Sequence, residues 1–414
     1  MPGICVQFDE QPDTSRIFVL VGIVMPMPPV IYIAGERQHA GKTVTSLGLI
    51  SALSKLIDPR DIGYFKPVGQ EMVELPDGEH IDKDILIVKE FTPLDMPDLG
   101  ILSPVRVVSG ITRDYIKSDH PEAITAGFAA SIAETMHYLS TKKVIIAEGT
   151  GHPGVGSVIG LSNARVANLL GARILYLVGG GIGRTLDELE VDLSYFSHHR
   201  CRVAGVLFNK VQPEKLEMMV DVVTESALTR LFPEWDPPLT VFGHMPRVMY
   251  LNNPSMHLIA QGFKDHRGIH ADQPKDAWFR ACRKVKIITQ DYEVFDPARR
   301  LRPRDIAVIG AGSHRRVKRL VEYNRSLPDD EKLGGIILTC ANDRMPDEAT
   351  QASLDNSRIP TFAVSQDTAD TDATIYKIFN KTKLQTYDKM KHERIVELFT
   401  EHFDAARFIR TFGL

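Results

Sequence analysis

A short loop bounded by glycines constrains this chain more than any other feature. The loop reads GERQHAGKT over residues 35–43, follows the apolar segment VIYIA, and leads into a helix-like segment over residues 44–56. Strand, glycine-bounded loop, Lys-Thr and helix in this order are typical of a phosphate-binding P-loop. The order therefore predicts a βα unit of an α/β sheet, with an anion bound by main-chain N–H groups and a helix N-terminus.

Two side chains of the loop have the chemistry that a triphosphate requires. Lys42 supplies a positive charge for the β- and γ-phosphates, and the Thr43 hydroxyl is a ligand for Mg²⁺. The loop has five residues between its glycines, whereas the standard pattern has four. The alternative is a glycine-rich turn that binds nothing. We predict nucleotide contacts at Gly35, His39, Ala40, Gly41, Lys42, Thr43 and Val44.

The first half of the chain alternates short apolar runs with helix-like stretches. This alternation predicts an α/β fold with a mostly parallel sheet covered by helices on both faces. Ligands of such folds lie at the carboxyl ends of the strands. The predicted strands are 30–34, 62–66, 143–147, 173–178, 203–208 and 239–243. The predicted helices are 42–56, 82–91, 121–139, 161–170, 184–197 and 213–231.

A second, smaller α/β pattern follows a segment rich in proline, glycine and charge. Its predicted strands are 285–289, 306–310, 335–339 and 360–364, and its predicted helices are 313–326, 347–355 and 368–379. Tyr387 to Phe412 is predicted as one amphipathic helix, which either packs on its own domain or mediates dimerisation. We predict an N-terminal extension at 1–27, a first domain at 28–248, a linker at 249–284, a second domain at 285–385 and a C-terminal helix at 386–414.

Composition excludes few classes of protein but favours a cytoplasmic one. The formal net charge of −4 gives no electrostatic case for nucleic acid or an anionic membrane. The four cysteines are scattered and lack metal-binding spacing, so we expect reduced thiols. The apolar stretch Ile17–Val24 is too short to span a bilayer. We interpret residues 1–24 or so as a non-native extension, with translation starting at Met25 or Met27.

Polar residues at the predicted strand ends outline a site. Glu148 ends the third strand, where P-loop proteins place an acidic residue that holds Mg²⁺ or its water. Asp82 is expected to cap the following helix, and Asp84, Glu148 and Thr43 together would form a magnesium site of hard oxygen ligands. Lys66 ends the second strand, where it either meets phosphate or a substrate carboxylate or is a surface lysine.

Each of three further segments has two possible interpretations. Arg113 either binds an anion or forms an ion pair with Asp114. Asn209, at the end of the fifth strand, either matches the edge of adenine or is a turn residue. The segment of residues 179–184, GGGIGR, is either an anion site at a helix N-terminus or a tight turn.

These features together resemble the dethiobiotin synthetase-like P-loop family. FKPVG at 65–69 and EGTGHPGVGS at 148–157 are similar to that family's strand ends, and the longer loop matches as well. Over roughly residues 30–250 the chain is most similar to the N-terminal domain of long bacterial phosphate acetyltransferases and to free-standing cobyrinic acid a,c-diamide synthase-like proteins. The segments that carry this likeness are SPVRVVSGITRDYI, EGTGHPGVGSVIGLSNARVANLLGA and GGGIGRTLDEL.

The resemblance implies ATP and Mg²⁺ as cofactors. It assigns phosphate, metal and substrate positions to Lys42, Thr43, Lys66, Asp84 and Glu148, with Lys42, Lys66 and Glu148 as the catalytic residues. It assigns the adenine contact to Asn209. The superfamily often places its nucleotide near a two-fold interface, so we also expect a homodimer.

Residues 285–385 more weakly resemble the DRTGG domain that follows this P-loop domain, although the Asp-Arg-Thr-Gly-Gly string is absent. The loop between the glycines also differs from the dethiobiotin enzymes, and no Gly-x-Cys-x-Gly elbow surrounds Cys340, which argues against amidation. We therefore expect a regulatory ATPase whose second domain senses a metabolite or a partner. The alternatives are an ATP-dependent ligase for a small carboxylate or carbamate, with Lys66 stabilising the developing charge, and an assembly protein with a vestigial loop.

Overall fold

The computed structural model describes residues 27–268, 275–342 and 344–414. The predicted N-terminal extension, apart from Met27, lies outside these residues. The chain forms two compact units. The first unit comprises the residues up to Arg247 together with His392–Leu414, and the second unit is Val248–Lys391.

The first unit is built on a six-stranded parallel sheet. The first unit as a whole contains the strands β1 (Val30–Gly35), β2 (Ile62–Phe65), β3 (Val68–Gly69), β4 (Met72–Glu74), β5 (His80–Asp82), β6 (Val105–Arg106), β7 (Val144–Glu148), β8 (Arg173–Val178), β9 (Arg202–Val211) and β10 (Thr240–Pro246). The sheet has the order β10-β9-β8-β1-β7-β2, while β3 pairs with β6 and β4 with β5. Every residue of β1 and β7 is buried, as expected for parallel strands covered on both faces.

Helices cover this sheet and connect its strands. They are α1 (Lys42–Leu53), α2 (Lys83–Phe91), α3 (Ile111–Lys117), α4 (Pro121–Tyr138), α5 (Asn163–Leu169), α6 (Gly183–His198), α7 (Leu216–Val222) and α8 (Glu225–Leu231). The single helix predicted over 213–231 is wrong, because α7 and α8 are separate. Thr224 accepts a hydrogen bond from the Ala227 N–H and so starts a new helix.

The second unit has a five-stranded sheet of order β11-β15-β14-β13-β12. Its strands are β11 (Arg267–Gly268), β12 (Val285–Ile287), β13 (Ile306–Gly310), β14 (Gly335–Thr339) and β15 (Thr361–Ala363), of which β11 alone pairs antiparallel among these five. Its helices are α9 (Met256–Gln261), α10 (Lys275–Phe279), α11 (Pro297–Arg300), α12 (His314–Ser326), α13 (Glu348–Asp355) and α14 (Thr368–Lys381).

The segment predicted as a linker contributes to the core of the second unit. Met256, Ile259, Phe263 and Cys282 are buried in one hydrophobic cluster with strand residues of the sheet. Of the residues that suggested a linker, Pro254 precedes these apolar positions, and Gly262 and Gly268 lie between them. The difference arises because short apolar groups separated by turns bury their side chains without a long periodic pattern.

The chain ends in two helices, α15 (Lys389–His402) and α16 (Ala405–Phe412), so the prediction of one helix over Tyr387–Phe412 is wrong. Asp404 separates them: its carboxylate caps α16 through the Arg407 N–H at 2.8 Å. In the first unit, the rings of Phe408 and Phe412 lie 5.2 Å and 5.9 Å from the ring of Phe242, a residue of β10, in edge-on and tilted arrangements. Of the helices that the structure describes, none combines the length and apolar character needed to cross a membrane.

Candidate functional site

The loop between β1 and α1 has a shape that its two glycines make possible. A Cβ atom on Gly35 would come within 2.8 Å of the Ala40 Cβ, so a side chain there would displace the loop. Gly41 has φ = 101°, a left-handed conformation that favours glycine. Helix α1 begins at the next residue, Lys42, and its N-terminal N–H groups therefore face the loop.

Lys42 ties the loop to the segment that follows β7. Its ammonium group is buried and donates hydrogen bonds to the carbonyl oxygen of Arg37 at 3.3 Å and of Gly151 at 3.0 Å. Val44 lies in the first turn of α1 beside it. The structure thus places the predicted phosphate-binding charge inside the loop.

Asn209 and Lys210, at the end of β9, hold the loop from the other side. The Asn209 amide nitrogen donates to the Ala40 carbonyl at 2.7 Å, and the Lys210 ammonium donates to the His39 carbonyl at 2.6 Å. Burial, with help from Arg37 and Arg247, lowers the pKa of Lys210. The adenine contact of Asn209 stays a prediction. Sequence analysis missed Lys210. The one sequence feature that could have identified it is its position next to Asn209 near a strand end.

Lys66, Asp84 and Glu148 form a buried charge cluster next to Thr43. The Lys66 ammonium donates to Asp84 Oδ2 at 2.5 Å and to Glu148 Oε1 at 3.0 Å. The Thr43 hydroxyl lies 3.0 Å from Asp84 Oδ1 and 2.9 Å from Glu148 Oε1. Four predicted site residues from four different segments therefore meet. Lys66 is 5% exposed, which argues against the surface-lysine alternative.

Sequence analysis missed two residues that complete the environment of Glu148. Ser46 and Tyr64 donate hydroxyl hydrogen bonds to Glu148 Oε2 at 2.6 Å and 2.9 Å. Ser46 lies three residues after Thr43, so both hydroxyls lie on one side of α1. Tyr64 lies two residues before Lys66 in an extended segment, and so on the same face of the sheet. These two spacings are the sequence features that could have identified Ser46 and Tyr64 as partners of Glu148.

The charges of the cluster shift one another's pKa. Burial alone would lower the pKa of Lys66, but Asp84 and Glu148 hold it well above its usual range. Burial raises the pKa of Asp84, but Lys66 and its hydrogen bonds more than offset this, so the pKa is lowered. Burial raises the pKa of Glu148, and Lys66 only partly reverses this. Lys66 and Asp84 are therefore held in their charged forms, whereas burial acts against the ionised form of Glu148.

The donor chemistry of the charge cluster fits a magnesium ion. One hydroxyl and two carboxylates meet at Thr43, Asp84 and Glu148. In the parts of the chain that the structure describes, no group of three or more His, Cys, Asp and Glu side chains could hold a metal ion by itself. Mg²⁺ is usually held by one or two carboxylates while phosphates and water complete its shell. The residues present match that donor set.

Asp82 has the structural role that its position predicted. Its carboxylate accepts the Asp84 N–H at 3.0 Å and caps α2, and it also accepts the Gln70 N–H at 2.9 Å. The helix-capping prediction is confirmed. This cap fixes the first turn of α2 and so directs Asp84 toward the charge cluster.

The segment after β7 is braced by Asn163, which sequence analysis also missed. Its amide nitrogen donates to the carbonyl oxygens of Thr150 and His152, both at 2.6 Å. Its amide oxygen accepts the Tyr32 hydroxyl at 2.8 Å and the Thr150 N–H at 2.9 Å. Three of these hydrogen bonds hold the backbone of the segment that contacts Lys42, and the fourth ties Asn163 to β1 through Tyr32.

Two candidate segments lie outside this network. Arg113 is exposed and pairs with Asp114 at 3.0 Å, which favours the ion-pair interpretation. In the glycine segment after β8, the Gly179 N–H donates to Glu36 Oε2 at 2.8 Å. The Glu36 carboxylate thus accepts the hydrogen bond that an anion would need from this N–H, which favours the tight-turn interpretation.

Comparison with known proteins agrees with this geometry. Residues 30–255 match the family model AAA_26, described as an AAA domain. The chain belongs to this family. Residues 30–255 therefore form a P-loop ATPase-type domain.

More distant likenesses concern parts of other proteins. A phosphate acetyltransferase of Synechocystis sp. is 26% identical over 196 residues, which cover 45% of this chain and 26% of the relative. The chain thus matches about a quarter of that protein's length. The MinC:MinD cell division protein complex of Aquifex aeolicus has 13% identity and a TM-score of 0.31, covering 54% of this chain and 83% of the other. Apo McdA of Cyanthece has 12% identity and a TM-score of 0.32, covering 53% and 86%.

Proposed function

We propose that the first unit binds MgATP and that the protein is a regulatory or metabolite-sensing ATPase, related to part of a phosphate acetyltransferase. The observation that carries this proposal is the meeting of Thr43, Lys66, Asp84 and Glu148 beside a phosphate-binding loop. These four residues come from segments that are far apart in sequence. A structural network alone would not require its buried charges to meet at the N-terminus of the P-loop helix.

Each group has a definite task in this proposal. Lys42 and the main-chain N–H groups of residues 35–44 hold the phosphates. Thr43, Asp84 and Glu148 would hold Mg²⁺, which when bound neutralises charge on the phosphate oxygens. Lys66 adds a fixed positive charge on the same side, and Asn209 keeps the loop in shape through Ala40.

The hydrogen bonds of the carboxylates favour binding or slow turnover over rapid chemistry. Glu148 Oε1 accepts from Thr43 and Lys66, and Glu148 Oε2 accepts from Ser46 and Tyr64. Asp84 Oδ2 accepts from Lys66, and Asp84 Oδ1 competes with Glu148 Oε1 for the one proton of the Thr43 hydroxyl. A general base must be able to take a proton from a substrate or water, and the lowered pKa of Asp84 makes it a weaker base than an ordinary carboxylate.

An ATP-dependent ligase is the alternative that the Lys66 ammonium favours. A fixed positive charge next to transferred phosphate would stabilise charge that develops on a phosphorylated carboxylate or carbamate. The DRTGG-like character of the second unit, a homodimer and a cytoplasmic location remain proposals that accompany the regulatory interpretation.

Calorimetry with a matched pair of lysine variants tests nucleotide binding. Lys42→Ala removes the buried ammonium of the loop, and we expect at least a tenfold loss of MgATP affinity. Lys89→Ala removes an exposed lysine of α2 and should bind as the parent does. Equal affinities for the parent and Lys42→Ala would refute the assignment of the loop.

Turnover assays separate the regulatory ATPase from the ligase. ADP release is measured with MgATP alone and then with candidate amines, bicarbonate or acetyl phosphate. Negligible release under every condition supports a binding or sensing role. A strong rise that depends on one added substrate would support the ligase instead.

A further inference from the structure

The second unit contains a cavity that the proposed nucleotide site does not use. Its volume is about 460 Å³, and residues that precede β13, β14 and β15 line it. It therefore lies at the amino edge of the sheet, whereas ligands of parallel sheets usually lie at the carboxyl edge. Five cationic side chains and two carboxylates, those of Asp276 and Asp329, line this cavity, so its wall is net positive. The cationic residues are Arg280, Arg304, Arg325, Lys332 and Arg358.

The fold itself accounts for two of the five cations. Lys332 donates to the carbonyl oxygens of Asn324 at 2.9 Å and Arg325 at 3.4 Å, which neutralises the C-terminal end of α12. Arg280 forms an ion pair with Asp276 at 2.8 Å, one helical turn away. Neither residue needs a ligand to explain its presence.

The other three cations have no such explanation. Within the described residues, the guanidinium groups of Arg304, Arg325 and Arg358 have no ion pair or hydrogen bond. Arg325 lies in the last turn of α12, where a positive charge is favourable. Arg304 lies in a turn and Arg358 directly follows one, and both line the cavity.

The backbone at two of these arginines is unusual. Arg304 has φ = 65° and Arg358 has φ = 57°, both in the left-handed region. Glycine or asparagine adopts this conformation at lower cost than a residue with a long side chain. Arginine at both positions is therefore unfavourable for the backbone, and the side chains lining the cavity gain an explanation if they bind something there.

We propose that this cavity binds a small metabolite that carries phosphate groups. The planar guanidinium group donates two parallel hydrogen bonds to phosphate oxygens, and several such groups recognise a multiply charged anion. A volume of about 460 Å³ is within the usual range for small-molecule sites. The site is independent of the loop at residues 35–43, and each can be tested without the other.

Pyrophosphate is the probe, because it carries linked phosphate groups without a nucleobase. Calorimetry uses the full chain with Lys42→Ala and EDTA, so that the P-loop contributes little to the heat. We expect saturable binding at one site per chain. The double variant Arg304→Gln/Arg358→Gln in this background should lose at least tenfold in affinity. Arg299→Gln removes an 87% exposed arginine of the same unit that does not line the cavity, and it should change affinity less than twofold.

A folding control and one further variant accompany this experiment. Thermal unfolding followed by the fluorescence of Trp278, a residue of the second unit, shows whether the double variant is folded. If it is not, Arg358→Gly suits the left-handed backbone and should still weaken binding at least threefold. No heat with pyrophosphate, equal affinity in the arginine variants, or an equal loss in Arg299→Gln would overturn the proposal. MgATP binding by the chain with Lys42 intact is a separate result, so failure of one site does not imply failure of the other.

Discussion

The carboxyl edge of the first sheet and the amino edge of the second sheet use positive charge in opposite ways. At the first edge, Lys66 is buried and bonded to Asp84 and Glu148. At the second edge, Arg304 and Arg358 line a cavity and have no carboxylate partner among the described residues. A buried charge persists only when its partners compensate the loss of water. A charge that borders a cavity keeps its water and remains available to a ligand.

Removing Lys66 should have the largest effect on stability. Lys66→Met leaves two carboxylates near each other without their cation, and breaking a buried pair in this way costs about 3–5 kcal/mol. The first unit is followed by urea unfolding and the fluorescence of Trp235 in a chain with Trp278→Phe. Lys143→Met removes the cation of an exposed pair with Asp61 and should cost less than about 1 kcal/mol. Equal losses for the two variants would contradict the comparison.

The two carboxylates of the cluster should respond to pH in opposite directions. The pKa of Asp84 is lowered by folding, so its contribution to stability is present above the ordinary value of 3.8 and lost as the pH falls through the lowered value. The pKa of Glu148 is raised by folding, so its contribution is present below the ordinary value of 4.5 and lost as the pH rises through the raised value.

Paired variants measure these pH dependences. On acidification, the parent's stability relative to Asp84→Asn should decrease, and its stability relative to Glu148→Gln should increase. Urea midpoints of the first unit at a series of pH values, read from Trp235, give both differences. If both differences change in the same direction with pH, the opposite pKa shifts of Asp84 and Glu148 are wrong.

The smallest effect, of opposite sign, is expected at the second edge. Arg358→Gly relieves the left-handed backbone and breaks no ion pair in the described residues, so the second unit should become more stable by up to about 1 kcal/mol. Its unfolding is followed by Trp278 in a chain with Trp235→Phe. Arg299→Gly places glycine in α11 and should instead destabilise by up to about 1 kcal/mol. A clear loss of stability in Arg358→Gly would mean that the arginine has a structural partner.

Much of the candidate site followed from local pattern. The order strand, loop and helix locates Lys42 and Thr43, and the parallel sheet makes strand ends such as Lys66 and Glu148 meet at one edge. The partners of these residues did not follow. Ser46, Tyr64 and Asn163 are ordinary polar residues whose roles depend on contacts between segments 84 to 131 positions apart in the chain.

The tail of the chain shows the same division between pattern and contact. The spacing of apolar residues near the C-terminus predicts an amphipathic surface, and Phe408 and Phe412 are buried as that spacing implies. The partner of that surface is Phe242, in the first unit. The spacing of apolar residues does not specify which surface they pack against, because burial is non-directional and any apolar surface of suitable shape satisfies it.

Local sequence pattern was enough to predict the α/β class, the P-loop and the charged residues at the strand ends, because these depend on backbone geometry within a few residues. The folded chain was needed to show that two carboxylates compensate Lys66, that the predicted linker contributes to a core, and that three arginines from separate segments line one cavity. Charge compensation and cavities depend on distances between segments, and those distances exist only after the chain has folded.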